Sequence, residues 1–316
     1  MQNRITFGGL VATLAVLLGV VGTGFAQVEV TECGQVVPAR QTGVLMVDLD
    51  CPVEAGSAVV TLEERASLEM NGHTISGGWQ GVQVLGRRGT IRGPGQIVAG
   101  DWEGTGRRIV FERRLEINDV TVDGGAWEGI ANRYGNLGYL LATNVTVNNV
   151  RDYGVFVGKL KGSNLTANGN GFTGFNVARL KATDITANGN GHYGISAGRI
   201  GRSTNITANG NARDGIWTNR GIRSCRNVTA SGNGEAGVLS YKTSTMIGFT
   251  ATGNAGPGYS SHLAGVRLID ATLSGNDTAG HGIDILTARP PRLVNTVCDL
   301  SENSETGESW GVCSLD

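Results

Sequence analysis

The sequence predicts an all-β chain wound as a single-stranded parallel β-helix with coils of about 21 residues. Three observations predict it. Glycine supplies 51 of 316 residues, about 16%, where an ordinary domain carries roughly 7%. An Asn/Asp-x-Thr segment returns every 20 to 22 residues, and a Gly-Asn pair returns at a constant offset behind it. Composition removes the rivals. Only 6 residues are proline, whereas collagen combines abundant proline with glycine at about one-third. With 40% hydrophobic and 17% charged residues, the chain is too apolar for a disordered linker. A helical bundle is disfavoured because glycine costs roughly 1 kcal/mol per helix-interior site.

The elements follow in chain order. Residues 1–26 read as a secretory signal peptide. Arg4 is basic, Leu10 to Val21 is uncharged, and Gly24-Phe25-Ala26 puts small residues at a cleavage site. The apolar run is short for a membrane span of ~20 residues, and no later segment is long and apolar enough for one. The expected location is secreted or periplasmic. Export permits disulfides. Five cysteines follow the leader, and the pairs Cys33–Cys51 and Cys298–Cys313 are expected to close short loops near the ends. Cys225 is left as a buried thiol. Residues 27–60 read as an N-terminal cap, 61–297 as the β-helix, and 298–316 as a disulfide-closed tail.

The repeat is read from Asn144-Val-Thr, Asn164-Leu-Thr, Asp184-Ile-Thr, Asn205-Ile-Thr and Asn227-Val-Thr, with looser copies at Gly248 and Asp270. The asparagine is placed at a strand start. Gly169-Asn170, Gly189-Asn190, Gly210-Asn211, Gly232-Asn233, Gly253-Asn254 and Gly275-Asn276 follow, and then a glycine before an apolar residue, as in Gly194-Ile195. Each unit is therefore expected to hold two short strands joined by a Gly-Asn turn. One unit cannot bury its own apolar face. Stacking places Val145, Leu165, Ile185, Ile206 and Val228 in one inward column about 4.8 Å apart, and Asn170 to Asn276 in register as an amide ladder.

These features resemble the right-handed parallel β-helix proteins of the pectin-lyase-like superfamily, over about residues 60–300. Ala66-Ser-Leu-Glu-Met-Asn-Gly-His-Thr-Ile75 is similar to the first coil of many such proteins. The resemblance implies one elongated, capped, right-handed domain that binds or acts on polysaccharides. Gly280-His281-Gly282 and Asp214-Gly215-Ile216 resemble elements of the polygalacturonase-like hydrolases. However, Glu235-Ala236 stands where that subfamily has paired aspartates, so the hydrolase mechanism is not carried over.

Outward positions also align. Lys159, Arg179, Arg199, Arg220 and Lys242 form a basic column, with Lys161, Lys181, Arg202 and Arg223 nearby. Between residues 144 and 247 there are 12 Lys+Arg against 4 Asp+Glu, while the whole chain nets −1. Stacked like charges repel unless something anionic lies across them, so the column suits a uronate-containing polysaccharide. Export and the net charge argue against nucleic acid. Trp217 and Phe156 are placed to stack on sugar rings beside the column. The turn before the strand glycine holds His192, Asp214 and Glu235 on successive coils, residue types that serve acid–base chemistry. The expected function is binding, with cleavage or epimerisation left open, of an acidic polysaccharide. The alternative is a non-catalytic structural or adhesion β-helix. No cofactor or metal site is expected, Ca2+ being left open, and the chain is expected to be a monomer.

Overall fold

The structure, a computed structural model, describes residues 27–52, 57–98, 106–125, 127–135, 137–278 and 280–313. The expected signal peptide, 1–26, lies outside them, as do residues 314–316 of the tail. The described strands form one continuous sheet, wound as a right-handed parallel β-helix of about 11 turns. Equivalent residues of successive coils lie opposite one another. Val145 faces Leu165, which faces Ile185, then Ile206, Val228 and Phe249. All six are buried, so the inward column is the core.

Each regular coil has three legs, not the two expected. In the coil led by Val155, the buried residues are Val155 and Val157, then Leu160, then Leu165 and Ala167. Strand alternation has period two, and here it slips at Gly158 and again at Asn164. The Asn/Asp of the triplet is that second corner, inside a strand rather than at its start. Asn144, Asn164, Asp184, Asn205 and Asn227 have φ between 52° and 54°. This left-handed region is tolerated by asparagine and aspartate better than by other side chains. Their exposed side chains also bond along the stack, as Asn164 to Asn144 at 2.9 Å and Asn205 to Asp184 at 2.7 Å.

The interior amide ladder is complete. The Nδ2 atoms of Asn170, Asn190, Asn211, Asn233 and Asn254 each donate to Oδ1 of the next asparagine at 2.7–3.0 Å. Each Oδ1 of the receiving residues also accepts a backbone amide from the coil before, as from Asn190 to Asn211 at 3.0 Å. The last member, Asn276, donates to Oδ1 of Asp284 at 2.6 Å, and Oδ2 of Asp284 accepts the Asp299 amide. This ladder explains the glycine before each inward strand. A Cβ on Gly194 would stand 2.7 Å from Asn211 Nδ2 and 2.7 Å from the Gly215 carbonyl.

Both expected disulfides form, Cys33–Cys51 and Cys298–Cys313, and Cys225 is a buried free thiol. Parallel pairing already holds Gln27–Val30, Gln35–Val37, Thr42–Leu45 and Leu49–Cys51. Gln27–Val30 pairs with Thr42–Leu45, which pairs with Ser67–Glu69. The segment that resembles a first coil, Ala66 to Ile75, is therefore preceded by two rungs. At the other end, Arg292–Asn303 turns back antiparallel against Ser309–Cys313, which ends the parallel stack and covers an edge that would otherwise be open.

Candidate functional site

The basic column is a real file on one face. Lys159 lies opposite Arg179, and Arg179 opposite Arg199. Arg220 continues it, its amide donating to the Gly198 carbonyl at 2.8 Å. Gly221 is the residue inserted in that coil, after which Ile222 regains register with Ile200. Lys242 follows Tyr241, whose amide donates to Thr218. All five cations are exposed, and none is in an ion pair among the described residues. The file also runs farther toward the N-terminus than the regular repeats indicate. Tyr139 lies opposite Lys159 and Arg114 opposite Tyr139. Beside it, Lys161, Lys181 and Arg202 line a shallow depression of about 210 Å³ with Leu141.

A second face is built by the turn before the strand glycine. Asp152, Phe172, His192, Arg213, Glu235 and Gly256 form one column, in which each amide from Phe172 onward donates to the carbonyl one coil earlier at 2.7–3.3 Å. His192 and Glu235 therefore share a column, and Arg213 stands between them with Nε 3.7 Å from Glu235 Oε1. Asp214 belongs to the next column and points inward. It is 1% exposed. One carboxylate oxygen accepts the Ala236 amide at 2.9 Å, and the other is buried with no partner among the described residues. His192, Asp214 and Glu235 thus come close without forming one surface. The reason is visible in the spacing. Asp214 is one residue before its glycine and the other two are two before theirs, and the position just before the glycine is turned inward, Thr173 and Ala236 being buried there as well.

Burial pushes the Asp214 carboxyl up to about 7, with the Ala236 amide opposing and Glu235 adding to the rise. Burial and then the Arg213 charge hold His192 below its ordinary value, so its imidazole is neutral at neutral pH. Burial raises Tyr193, against a hydrogen bond from Arg213.

The sequence singles out Phe156 and Trp217 among the aromatics here, and the structure places them toward opposite ends of a continuous ribbon. Phe156 stacks on Tyr153, whose ring meets Phe172 edge-on, and Phe172 stacks on His192 at 4.1 Å. His192 meets Tyr193 edge-on at 4.0 Å, Tyr193 stacks on Trp217, and Trp217 meets Tyr241, both at 6.0 Å. Tyr153, Phe172 and Tyr193 were legible as aromatics recurring one or two residues before the strand glycine. Chemically, the ribbon offers flat faces, Arg213 a cation and His192 a proton acceptor. Among the described residues, no three His, Cys, Asp or Glu side chains gather to hold a metal ion.

The fold has a solved counterpart. The A-module of the mannuronan C-5 epimerase AlgE4 from Azotobacter vinelandii superposes with a TM-score of 0.52 at 16% identity, over 81% of this chain and 77% of that one. No family model and no curated protein matches the chain. At that identity the likeness establishes the parallel β-helix fold and stops there.

Proposed function

We propose that this protein is exported and binds an anionic, uronate-containing polysaccharide along the cation file, with sugar rings resting on the Tyr193–Trp217–Tyr241 end of the ribbon. The observation that carries this reading is the register of Lys159, Arg179 and Arg199 on consecutive coils. Cations held ~4.8 Å apart repel one another, and a polyanion lying across them relieves that repulsion. The spacing is close to the length of one pyranose along a glycan, so each coil presents one cation per sugar. The two disulfides support export, and the structural counterpart acts, by its name, on mannuronan.

For a reaction, His192 and Arg213 supply the parts. The neutral imidazole takes the proton α to a uronate carboxylate while Arg213 faces that carboxylate, the first step shared by elimination and epimerisation. Asp214 is set aside because its carboxyl is buried. A second reading, a non-catalytic surface β-helix, is favoured by that same burial and by the Arg213–Glu235 pair.

Retention on immobilised polyuronate and on a neutral glycan tests the binding. Wild type is expected to hold the polyuronate only and to release it as salt rises. Arg199→Ala with Arg220→Ala is expected to weaken binding at least about tenfold; unchanged retention overturns the reading. Ultraviolet absorbance of unsaturated products, and hydrogen exchange at C-5, test the reaction. His192→Ala is expected to lose both while keeping retention. Their absence in wild type leaves the second reading standing.

A further inference from the structure

The N-terminal coils form a groove of about 820 Å³ walled by Arg40, Arg65, Arg87, Arg88, Arg92 and Arg114. Its floor is a registered row of hydroxyls. Thr42 lies opposite Ser67, and Ser67 opposite Thr90, with Thr42 Oγ1 2.8 Å from Ser67 Oγ. The same row continues through Glu116 and Leu141 to Lys161 and Lys181. Arg40, Arg65, Arg88 and Arg114 each stand two residues before this row, as do Tyr139, Lys159 and Arg179 farther on. Where the chain is extended, as from Lys159 to Lys161, a two-residue offset returns to the same face; Arg40 and Arg65 stand instead at turn residues with φ of 63° and 61°, and they join the track as walls of the groove that Thr42, Ser67, Thr90 and Glu116 also line. The groove and the cation file are therefore one track.

The groove is short of carboxylates. Arg88 pairs with Glu116 at 3.1 Å, Arg92 with Glu69 at 2.6 Å, and Arg65 lies 3.5 Å from Glu64. Arg40, Arg87 and Arg114 are in no ion pair among the described residues. The Arg114 guanidinium sits 5.2 Å from the Tyr139 ring centre, and its Nε is buried with no acceptor among the described residues. Arg114 lines the groove, so an anion bound there meets its guanidinium although the Nε itself is closed to solvent. Moreover, no lysine precedes Lys159 in the chain. This end of the track is purely guanidinium, the group whose fork takes a carboxylate through two parallel bonds.

We infer that the arginine groove is the anchoring subsite of the track, gripping about four consecutive uronate carboxylates, one per coil. The lysine-containing file beyond it holds the rest of the polymer. This rests on the polysaccharide reading above, and the test separates the two. Labelled tetra-uronate and deca-uronate are titrated against wild type and three double variants, with thermal unfolding measured for each. The tetramer is expected to bind wild type, to lose at least about tenfold affinity in Arg65→Ala/Arg114→Ala, and to bind Arg199→Ala/Arg220→Ala normally. The decamer is expected to weaken in both. Arg65→Lys/Arg114→Lys, which keeps the charge and loses the fork, is expected to weaken tetramer binding less, and it decides the matter if the alanine pair fails to fold. Wild-type affinity for both oligomers in the groove variants overturns the anchoring subsite and leaves the polysaccharide reading intact. Failure of both oligomers to bind wild type overturns the polysaccharide reading itself.

Discussion

Asp214 is where burial and charge conflict most sharply. Its ordinary value is 3.8, and in the fold it is pushed up to about 7. The stability gained by keeping it protonated is complete below about pH 4 and is lost as pH rises through 7. Wild type is therefore expected to lose up to ~4 kcal/mol from this group across that window. Asp214→Asn keeps the acceptor for the Ala236 amide and cannot ionise. Urea unfolding at pH 5 and pH 8 is expected to show the variant gaining on wild type at the higher pH. Equal pH dependence in the two proteins would remove Asp214 as the source. The residue types at this turn were legible in the sequence, but their facing was not. An offset of one residue between Asp214 and Glu235 is small in a repeat whose period already varies by two, yet it decides which side chain meets solvent.

Among the elements, the glycines before the inward strands matter through what they leave room for. Gly194→Ala would drive a methyl against Asn211 and two backbone carbonyls, atoms that have nowhere to move. It is expected to destabilise by roughly 1–3 kcal/mol or more, in line with overpacking. Gly189 has φ +62° and open space around it, so Gly189→Asn is expected to cost little, since asparagine tolerates that conformation. Chemical denaturation of the two variants checks the contrast, and equal losses would show that the amide ladder sets no packing limit. The regular legs from Val145 onward were readable because each repeats the same three marks: the corner Asn/Asp, the Gly-Asn pair and the strand glycine. The earlier coils were not. Arg40, Arg65, Arg88 and Arg114 are 25, 23 and 26 residues apart, and only the last of these coils carries the corner mark, as Asp119-Val120-Thr121 with Asp119 at φ 57°. Longer turns there hide the period, so the cationic track was seen from Lys159 and its guanidinium end only in three dimensions.

The whole molecule behaves as a linear stack, in which each coil is stabilised by its neighbours and the ends are weakest. The Cys298–Cys313 bridge closes a separation of 15 residues, a loop for which chain entropy predicts about 3 kcal/mol. Replacing both cysteines with serine is expected to fray the antiparallel hairpin first. Hydrogen exchange is expected to lose protection from Arg292–Asn303 inward while the coils around Ile185 keep theirs. Uniform loss along the chain would contradict the linear picture.

The ladder from Asn170 to Asp284 gives this stack a reading direction. Every amide hands its hydrogen bond the same way, and the last recipient, when ionised, is a group with acceptors only. A descendant that gained or dropped one whole coil between Asn170 and Asn276 would leave no amide unmatched, and a gained coil of the same pattern would add one more cation to the outer file. A descendant fused to another such helix at its far end would run into a carboxylate with no proton to pass on. Length in this lineage is therefore expected to change by insertion within the stack, with the finish kept as it is.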